Sequence, residues 1–240
     1  MYSNQQLERM LFFDLETTSE YEHLENLKIN NRRKYNIFLK HCKIKRTYGD
    51  VHYLNSTDEE LYEHVAPIMA EYGKIVCFSY GIVTIDTDNM PKYHINSVFS
   101  KNEKEIIDYI YNVFNKIGNR YNLCGYNIKN FDIPWLCRKM LQYGYELPLN
   151  IRIVNKKPWE ITAVDIKELW KFGGWQTAIF DEVLCLFGLD DPKVGMDGSD
   201  VYNEYWINDN LEGIKTYCEK DVKGCMDLLL TMSGKYTYVK

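Results

Sequence analysis

Two acids stand two residues apart in the stretch Met10-Leu11-Phe12-Phe13-Asp14-Leu15-Glu16. A short apolar run of this kind reads as a buried strand from about Met10 to Leu15. Alternate strand residues share a face, so Asp14 and Glu16 project together as a bidentate platform for a cation. The pair alone is weak evidence, and a solvated strand end is the plain alternative. What favours a ligand role is that convergent acids closing a buried strand need something to neutralise them. Asp132 follows Asn127-Ile128-Lys129-Asn130-Phe131 where a strand gives way to a helix, a place where capping is the ordinary use of Asp. Tyr217 and Asp221 lie four apart near the end of the chain, on one face of a helix, where an exposed amphipathic pair is the alternative.

The elements that must carry these residues can be read from periodicity. Ser56 or Thr57 with Glu59 or Glu60 gives a capping box, followed by Leu61, His64, Val65, Ile68 and Tyr72 at helical spacing, which predicts a helix to about Tyr72. Lys74 to Ile85 and Tyr93 to Phe99 are rich in β-branched and aromatic residues around an Asp-Asn-Met-Pro turn, and read as an antiparallel hairpin. Ser100 with Glu103 opens a helix whose Ile106, Ile107, Ile110, Val113, Phe114 and Ile117 share a face. A strand at Tyr121 to Tyr126 precedes a helix that holds Pro134 in its first turn and ends at Tyr143-Gly144. Ile161 to Ile166 reads as an edge strand, and Thr177 to Phe187 with Gly188, then Leu211 to Met232, read as helices. Strands alternating with helices after an initial meander predict an α/β fold with a mixed sheet flanked by helices.

Taken in order, D-x-E on the first strand, N-x-x-x-F-D at a strand-to-helix junction and Y-x-x-x-D on a late helix make a joint pattern. It resembles the DEDD-type 3′→5′ exonucleases of the tyrosine subclass. The chain is similar to the proofreading exonuclease domain of family B DNA polymerases, and more closely to predicted free-standing exonucleases related to that domain. The likeness runs through FFDLETT (12–18), GKIVCFSYG (73–81), CGYNIKNFDIPWL (124–136), DGSDVYNEYW (197–206) and YCEKDV (217–222). The resemblance implies a ribonuclease H-like fold, with Asp14, Glu16, Asp132 and Asp221 as ligands of two divalent cations, Mg²⁺ or Mn²⁺. Four carboxylates balance two such ions and leave positions for water and phosphate. It implies further that Tyr217 orients the attacking water, since a free phenol of pKa about 10 is a poor base at neutral pH. Thr17, Asn127 and Phe131 would line the groove for the terminal nucleotides, although Phe131 also suits a core position. The implied reaction is hydrolysis of the terminal phosphodiester of single-stranded DNA to nucleoside 5′-monophosphates. An exoribonuclease, or a non-catalytic nucleic-acid-binding module of the same fold, is the alternative.

Composition sets the surroundings of that reading. At 240 residues, 45% hydrophobic and 26% charged, the chain suits one domain over 1–240. The formal net charge is −5, yet Lys28 to Arg46 holds eight Lys or Arg and no acid, so the rest carries −13, eight below the whole. An acidic body with one basic segment fits an enzyme that collects cations and touches a polyanion elsewhere. The segment reads as a helix plus loop, an insert at about 21–50, serving either as a solvated face or as a phosphate contact. Seven cysteines without a C-x-x-C pair read as buried thiols of a cytoplasmic protein. No apolar run reaches membrane-spanning length, and no leader is evident. With no polymerase palm before Lys240, a free-standing enzyme is expected, and replication or repair partners would act in trans. Asp165 reads as a cap, and Asp197 to Val201 as a loop beside the last helix.

Overall fold

The computed structural model describes residues 1–49, 51–88, 90–153, 155–157, 160–193 and 195–235. Its five strands are β1 (Met10–Ser19), β2 (Gly73–Ile85), β3 (Pro91–Phe99), β4 (Asn122–Gly125) and β5 (Val164–Asp165). The helices are α1 (Asn4–Leu7), α2 (Leu24–Asn30), α3 (Arg32–Tyr48), α4 (Asp58–Val65), α5 (Glu103–Ile117), α6 (Asp132–Gln142), α7 (Ile166–Lys171), α8 (Phe180–Phe187), α9 (Val201–Trp206) and α10 (Leu211–Met232). The sheet runs in the order β3-β2-β1-β4-β5, with β1–β2 and β2–β3 antiparallel and β1–β4 and β4–β5 parallel. This is a mixed α/β sheet of the ribonuclease H-like type.

Strand alternation divides the core. Leu11, Phe13 and Leu15 of β1 pack with Ile106, Ile110 and Phe114 of α5 and with Trp135 and Leu136 of α6. Met10 and Phe12 face the other way, against Val183 and Leu184 of α8 and Val222, Met226 and Leu229 of α10. Each such side chain, removed from water, stabilises the fold by about 1.5–3 kcal/mol relative to exposure. Asp14 and Glu16 continue the Met10–Phe12 face, so they lie on the side of the sheet covered by α10.

A separate small core, made by Leu24, Leu27, Phe38, Cys42, Leu61, Tyr62, Val65 and Tyr72, holds α2, α3 and α4 together. The basic segment is therefore two helices and not one, because Asn31 leaves helical geometry and its Oδ1 caps α3 by accepting from Lys34 N at 3.0 Å. Its expected end at Asp50 lies outside the described residues, as does Asn89 of the expected hairpin turn.

Other boundaries move for local reasons. β1 continues past Leu15 to Ser19, since Thr17, Thr18 and Ser19 are buried and pair with Ile75, Lys74 and Gly73. The capping box at Thr57 and Glu60 is present, but the helix stops at Val65 in a 3₁₀ turn, Ala66–Ile68, containing Pro67, which has no N–H to continue the ladder. Of the expected edge strand only Val164–Asp165 pairs, and the helix expected from Thr177 begins at Phe180. Gly188 ends that helix at φ 68°. Asp197 to Asp200 form the expected loop, a turn beside α10, and Val201 departs from it by opening α9. Among the described residues no helix is long and apolar enough to cross a membrane.

Candidate active site

β1 supplies Asp14 and Glu16, and an irregularity in its pairing shapes what lies beside them. Glu16 is opposite Cys77 but Thr17 is opposite Ile75, so Val76 is an extra residue on β2. Bulges of this kind re-aim side chains and recur next to active sites. Here the bulge turns both Val76 and Cys77 toward Val201 and Tyr205 of α9 and Ile214 and Cys218 of α10. Those contacts press the helix bearing Tyr217 and Asp221 onto β1. α9 secures the same strand end, where Trp206 Nε1 donates to Ser19 Oγ at 3.1 Å.

Asp132 arrives from the opposite direction. Asn127 has a left-handed φ of 65°, a conformation Asn tolerates better than most residues. Asp165 pins this turn by accepting from the backbone N–H groups of Asn127 (2.9 Å) and Lys129 (3.0 Å), while also capping α7 at Lys167 N (3.0 Å). Gly125 permits close approach of β4, since a Cβ there would sit 2.8 Å from Phe13 O. The cap position of α6 is Phe131 with no side-chain bond, and Asp132 is the first helical residue. Capping therefore does not explain Asp132, which is only 2% exposed.

The four acids are electrostatically one group. Burial raises the Asp14 carboxyl well above its ordinary value, and the charges of Asp132 and Asp221 add to this. Glu16 is raised in the same way by burial, then by Asp14 and Asp221. Burial lifts Asp132 to about 7, against the pull of its own and Leu15's N–H groups. Asp221 is also lifted to about 7 by burial, with Asp181 adding to the rise and the Tyr217 hydroxyl and Lys193 opposing it. Asp132 Oδ1 and Asp221 Oδ1 lie out of solvent without a hydrogen-bond partner. Among the described residues, no Lys or Arg forms an ion pair with any of the four. Four convergent acids lacking a paired cationic side chain are a donor set suited to hard divalent cations.

Tyr217 is buried, so it is no exposed amphipathic pair with Asp221. Its hydroxyl donates to Asp221, and burial followed by the charges of Asp221, Glu16 and Asp14 drives its pKa far upward. Beside it opens a cleft of about 380 Å³ lined by Pro192, Met196, Asn210, Thr216, Tyr217 and Lys220. Gly198, in the Asp197–Val201 turn, has its Cβ direction 4.0 Å from the Tyr217 hydroxyl, so that turn forms part of the tyrosine's surroundings. Phe131 is half-buried with its ring 6.1 Å from Trp135. Thr17 is 8% exposed and donates to Pro67 O at 2.6 Å, leaving only its lone pairs for another partner. Asn127 is half-buried and its Oδ1 is 3.4 Å from Asn130 Nδ2.

Two neighbours escaped the sequence reading. Cys218 Sγ lies 3.5 Å from Asp14 Oδ2; its place directly after Tyr217 was the available signal. The Asp181–Lys193 pair, 2.8 Å apart, sits within electrostatic reach of Asp221, and no spacing rule connects those residues to the motifs.

A ribonuclease H-like sheet with acids converging from β1, α6 and α10 defines a class, the nucleases built on this fold. Residues 69–233 match the model of a family described as "predicted 3′-5′ exonuclease related to the exonuclease domain of PolB", and with more than half of its length matched the chain belongs to that family. No curated protein matches the chain. Asp132, Tyr217 and Asp221 fall inside the matched segment, whereas β1 with Asp14 and Glu16 precedes it.

Proposed function

We propose that the protein removes nucleotides from the 3′ end of single-stranded DNA, releasing nucleoside 5′-monophosphates. In this reading Asp14, Glu16, Asp132 and Asp221 hold two divalent cations, Mg²⁺ or Mn²⁺. The observation that carries it is the convergence of four carboxylates from three elements with no cationic side chain paired to them among the described residues. Bound there, the ions supply Lewis acidity toward water and phosphate and neutralise the charge that builds on the leaving oxygen. The relation to a polymerase exonuclease domain supports DNA as substrate.

The chain's own residues set the geometry. Water forms the new P–O bond as the P–O3′ bond breaks, losing one proton while the 3′ oxygen gains one. Tyr217, held protonated by its surroundings, acts as a hydrogen-bond donor and acceptor that positions this water, and not as a base. Phe131 offers a ring face to a terminal base or sugar, a contact indifferent to sequence. Asn127 offers its amide, and Thr17 an acceptor. Arg32, Arg33, Lys40 and Lys43 of α3 are exposed and form no ion pair among the described residues, and they contact the strand's phosphates.

Matched DNA and RNA oligonucleotides labelled at either end test the reading. The expected result is shortening of DNA from its 3′ end with mononucleotide product, only with Mg²⁺ or Mn²⁺ present. Equal or faster loss of RNA would make the enzyme an exoribonuclease, and no cleavage in any metal would leave a binding module. In the same assay Tyr217→Phe should slow single-turnover cleavage at unchanged Mn²⁺ affinity, and a wild-type rate would remove the water-positioning role.

A further inference from the structure

We infer that the acid centre contains a sulfur ligand, so that Asp14, Glu16 and Cys218 together form a site for a thiophilic divalent cation of the Zn²⁺ or Cd²⁺ class, which competes with Mg²⁺ and arrests the enzyme. This rests on the reading that Asp14 and Glu16 hold divalent cations.

Geometry carries the inference. One ligand atom from each of Asp14, Glu16 and Cys218 lies within 4.8 Å of the others. A Zn–S bond of about 2.3 Å and a Zn–O bond of about 2.1 Å at the tetrahedral angle place sulfur and oxygen about 3.6 Å apart. Cys218 Sγ is already 3.5 Å from Asp14 Oδ2. A thiol serving only as core filler would point into apolar neighbours. This one, on a residue 0% exposed and packed among Val76, Val201 and Ile214 with the Cys77 thiol beside it, also donates toward the Asp14 carbonyl and carboxylate, each at 3.5 Å. Asp132 lies outside this group of three, but it is 2% exposed with an unpartnered Oδ1, and its charge acts on Asp14.

Charge and softness decide the outcome of binding. Mg²⁺ prefers oxygen and has little affinity for the sulfur, whereas thiolate ligands select Zn²⁺ and its heavier congeners. As the metal–sulfur bond forms, the thiol proton passes to solvent. Two carboxylates and a thiolate then outweigh a divalent ion by one negative charge. An ion so held would lose Lewis acidity and be drawn toward the buried Cys218. Such an occupant inhibits.

The test uses the full chain freed of metal and titrated with Cd²⁺, read by the thiolate-to-metal absorption in the ultraviolet. Mn²⁺ binding is followed in parallel by electron paramagnetic resonance. The expected result is one stoichiometric band in the wild type and in Cys185→Ser, which removes an exposed thiol, and loss of that band in Cys218→Ser. Mn²⁺ binding should survive in Cys218→Ser, and the Zn²⁺ concentration that halves cleavage should rise at least about tenfold, the lower end of what even an outer-shell partner is worth. Cys218→Ala, checked by circular dichroism, replaces the serine variant if that one does not fold. A band that persists without Cys218, or no band while Mn²⁺ still binds, overturns this inference alone. Failure of both Mn²⁺ and Cd²⁺ to bind the wild type overturns the reading of the acids as well.

Discussion

Two charged clusters, one on each side of the sheet, are treated in opposite ways. On the α5–α6 side of the sheet, Glu103 and Lys139 are 8% and 3% exposed, and both charged groups are answered. Glu103 accepts from Ile75 N (2.7 Å), Lys139 Nζ (3.2 Å) and Tyr143 OH (3.0 Å), and Lys139 also donates to Gly73 O at 2.5 Å. On the α10 side, Asp14 and Glu16 lie together and feel the charges of Asp132 and Asp221, with two oxygens unanswered and no cation paired to them among the described residues. A satisfied buried pair belongs to architecture, because it asks for nothing further. An unsatisfied set of like charges persists only where something outside the chain completes it.

The comparison breaks most visibly in catalysis. Asp132→Asn should nearly abolish cleavage, yet in EDTA it should raise stability by about 1–3 kcal/mol, because it removes a buried charge that no cation offsets. Urea unfolding in EDTA beside a nuclease assay checks both halves, and a marked loss of stability would mean that Asp132 is a structural residue. Lys139→Met should do the reverse. Breaking a buried pair by removing one partner costs about 3–5 kcal/mol, while the metal dependence of whatever cleavage remains is unchanged. A stability near wild type would dissolve the contrast.

Protonation sharpens the same distinction. Asp132 and Asp221 titrate at about 7 in the folded chain, above the unfolded value of about 4. A raised carboxyl holds its proton more tightly when folded, so metal-free stability is greatest below the unfolded value. It declines as pH rises toward about 7 and levels off beyond. Mg²⁺ requires the deprotonated acids, and its gain in melting temperature should therefore grow with pH over about 5 to 8. A metal-induced gain that is flat across that range would count against the acids as ligands.

The smallest effect belongs to the exposed cations. Arg32→Glu with Arg33→Glu and Lys40→Glu should reduce the salt slope of DNA binding by about one for each phosphate no longer neutralised, at unchanged single-turnover rate. Lys34 and Arg46 are already paired with Glu20 and Asp58, and reversing them should matter less to binding. An unaltered slope would make α3 a solvated face.

How much of this the chain announces depends on whether the signal is local. α10 was legible from end to end at Leu211–Met232, since a long apolar periodicity needs no partner to declare itself. The β2–β3 hairpin was legible from its β-branched run. Asp14 and Glu16 were found because the alternation of Leu11-Phe12-Phe13 fixes their common side. α9 was missed, because its six residues are held by contacts with Ser19, Lys74 and Cys218, all distant in sequence. Cys218 was passed over as an ordinary buried thiol, since only folding sets it against Asp14. Pro67, which has no N–H to continue the ladder, is a local signal for the end of α4.

The extra residue at Val76 has a consequence for how this chain can change length. It splits the central hairpin into two frames, so that Lys74 meets Tyr205 and Trp206 on one side of the bulge while Ile75 faces the opposite core. Deleting Val76 would make Ile75 and Cys77 neighbours on opposite faces and leave Lys74 beside the aromatic pair, so the ladder would run straight while the second side chain packed against α9 and α10 would be lost. The bulge next to Glu16 is therefore kept for what Val76 packs against and not for the register of the arm. The turn after Ile85, where Asp86 organises the chain by accepting from Asp88 N and Met90 N, can absorb residues freely.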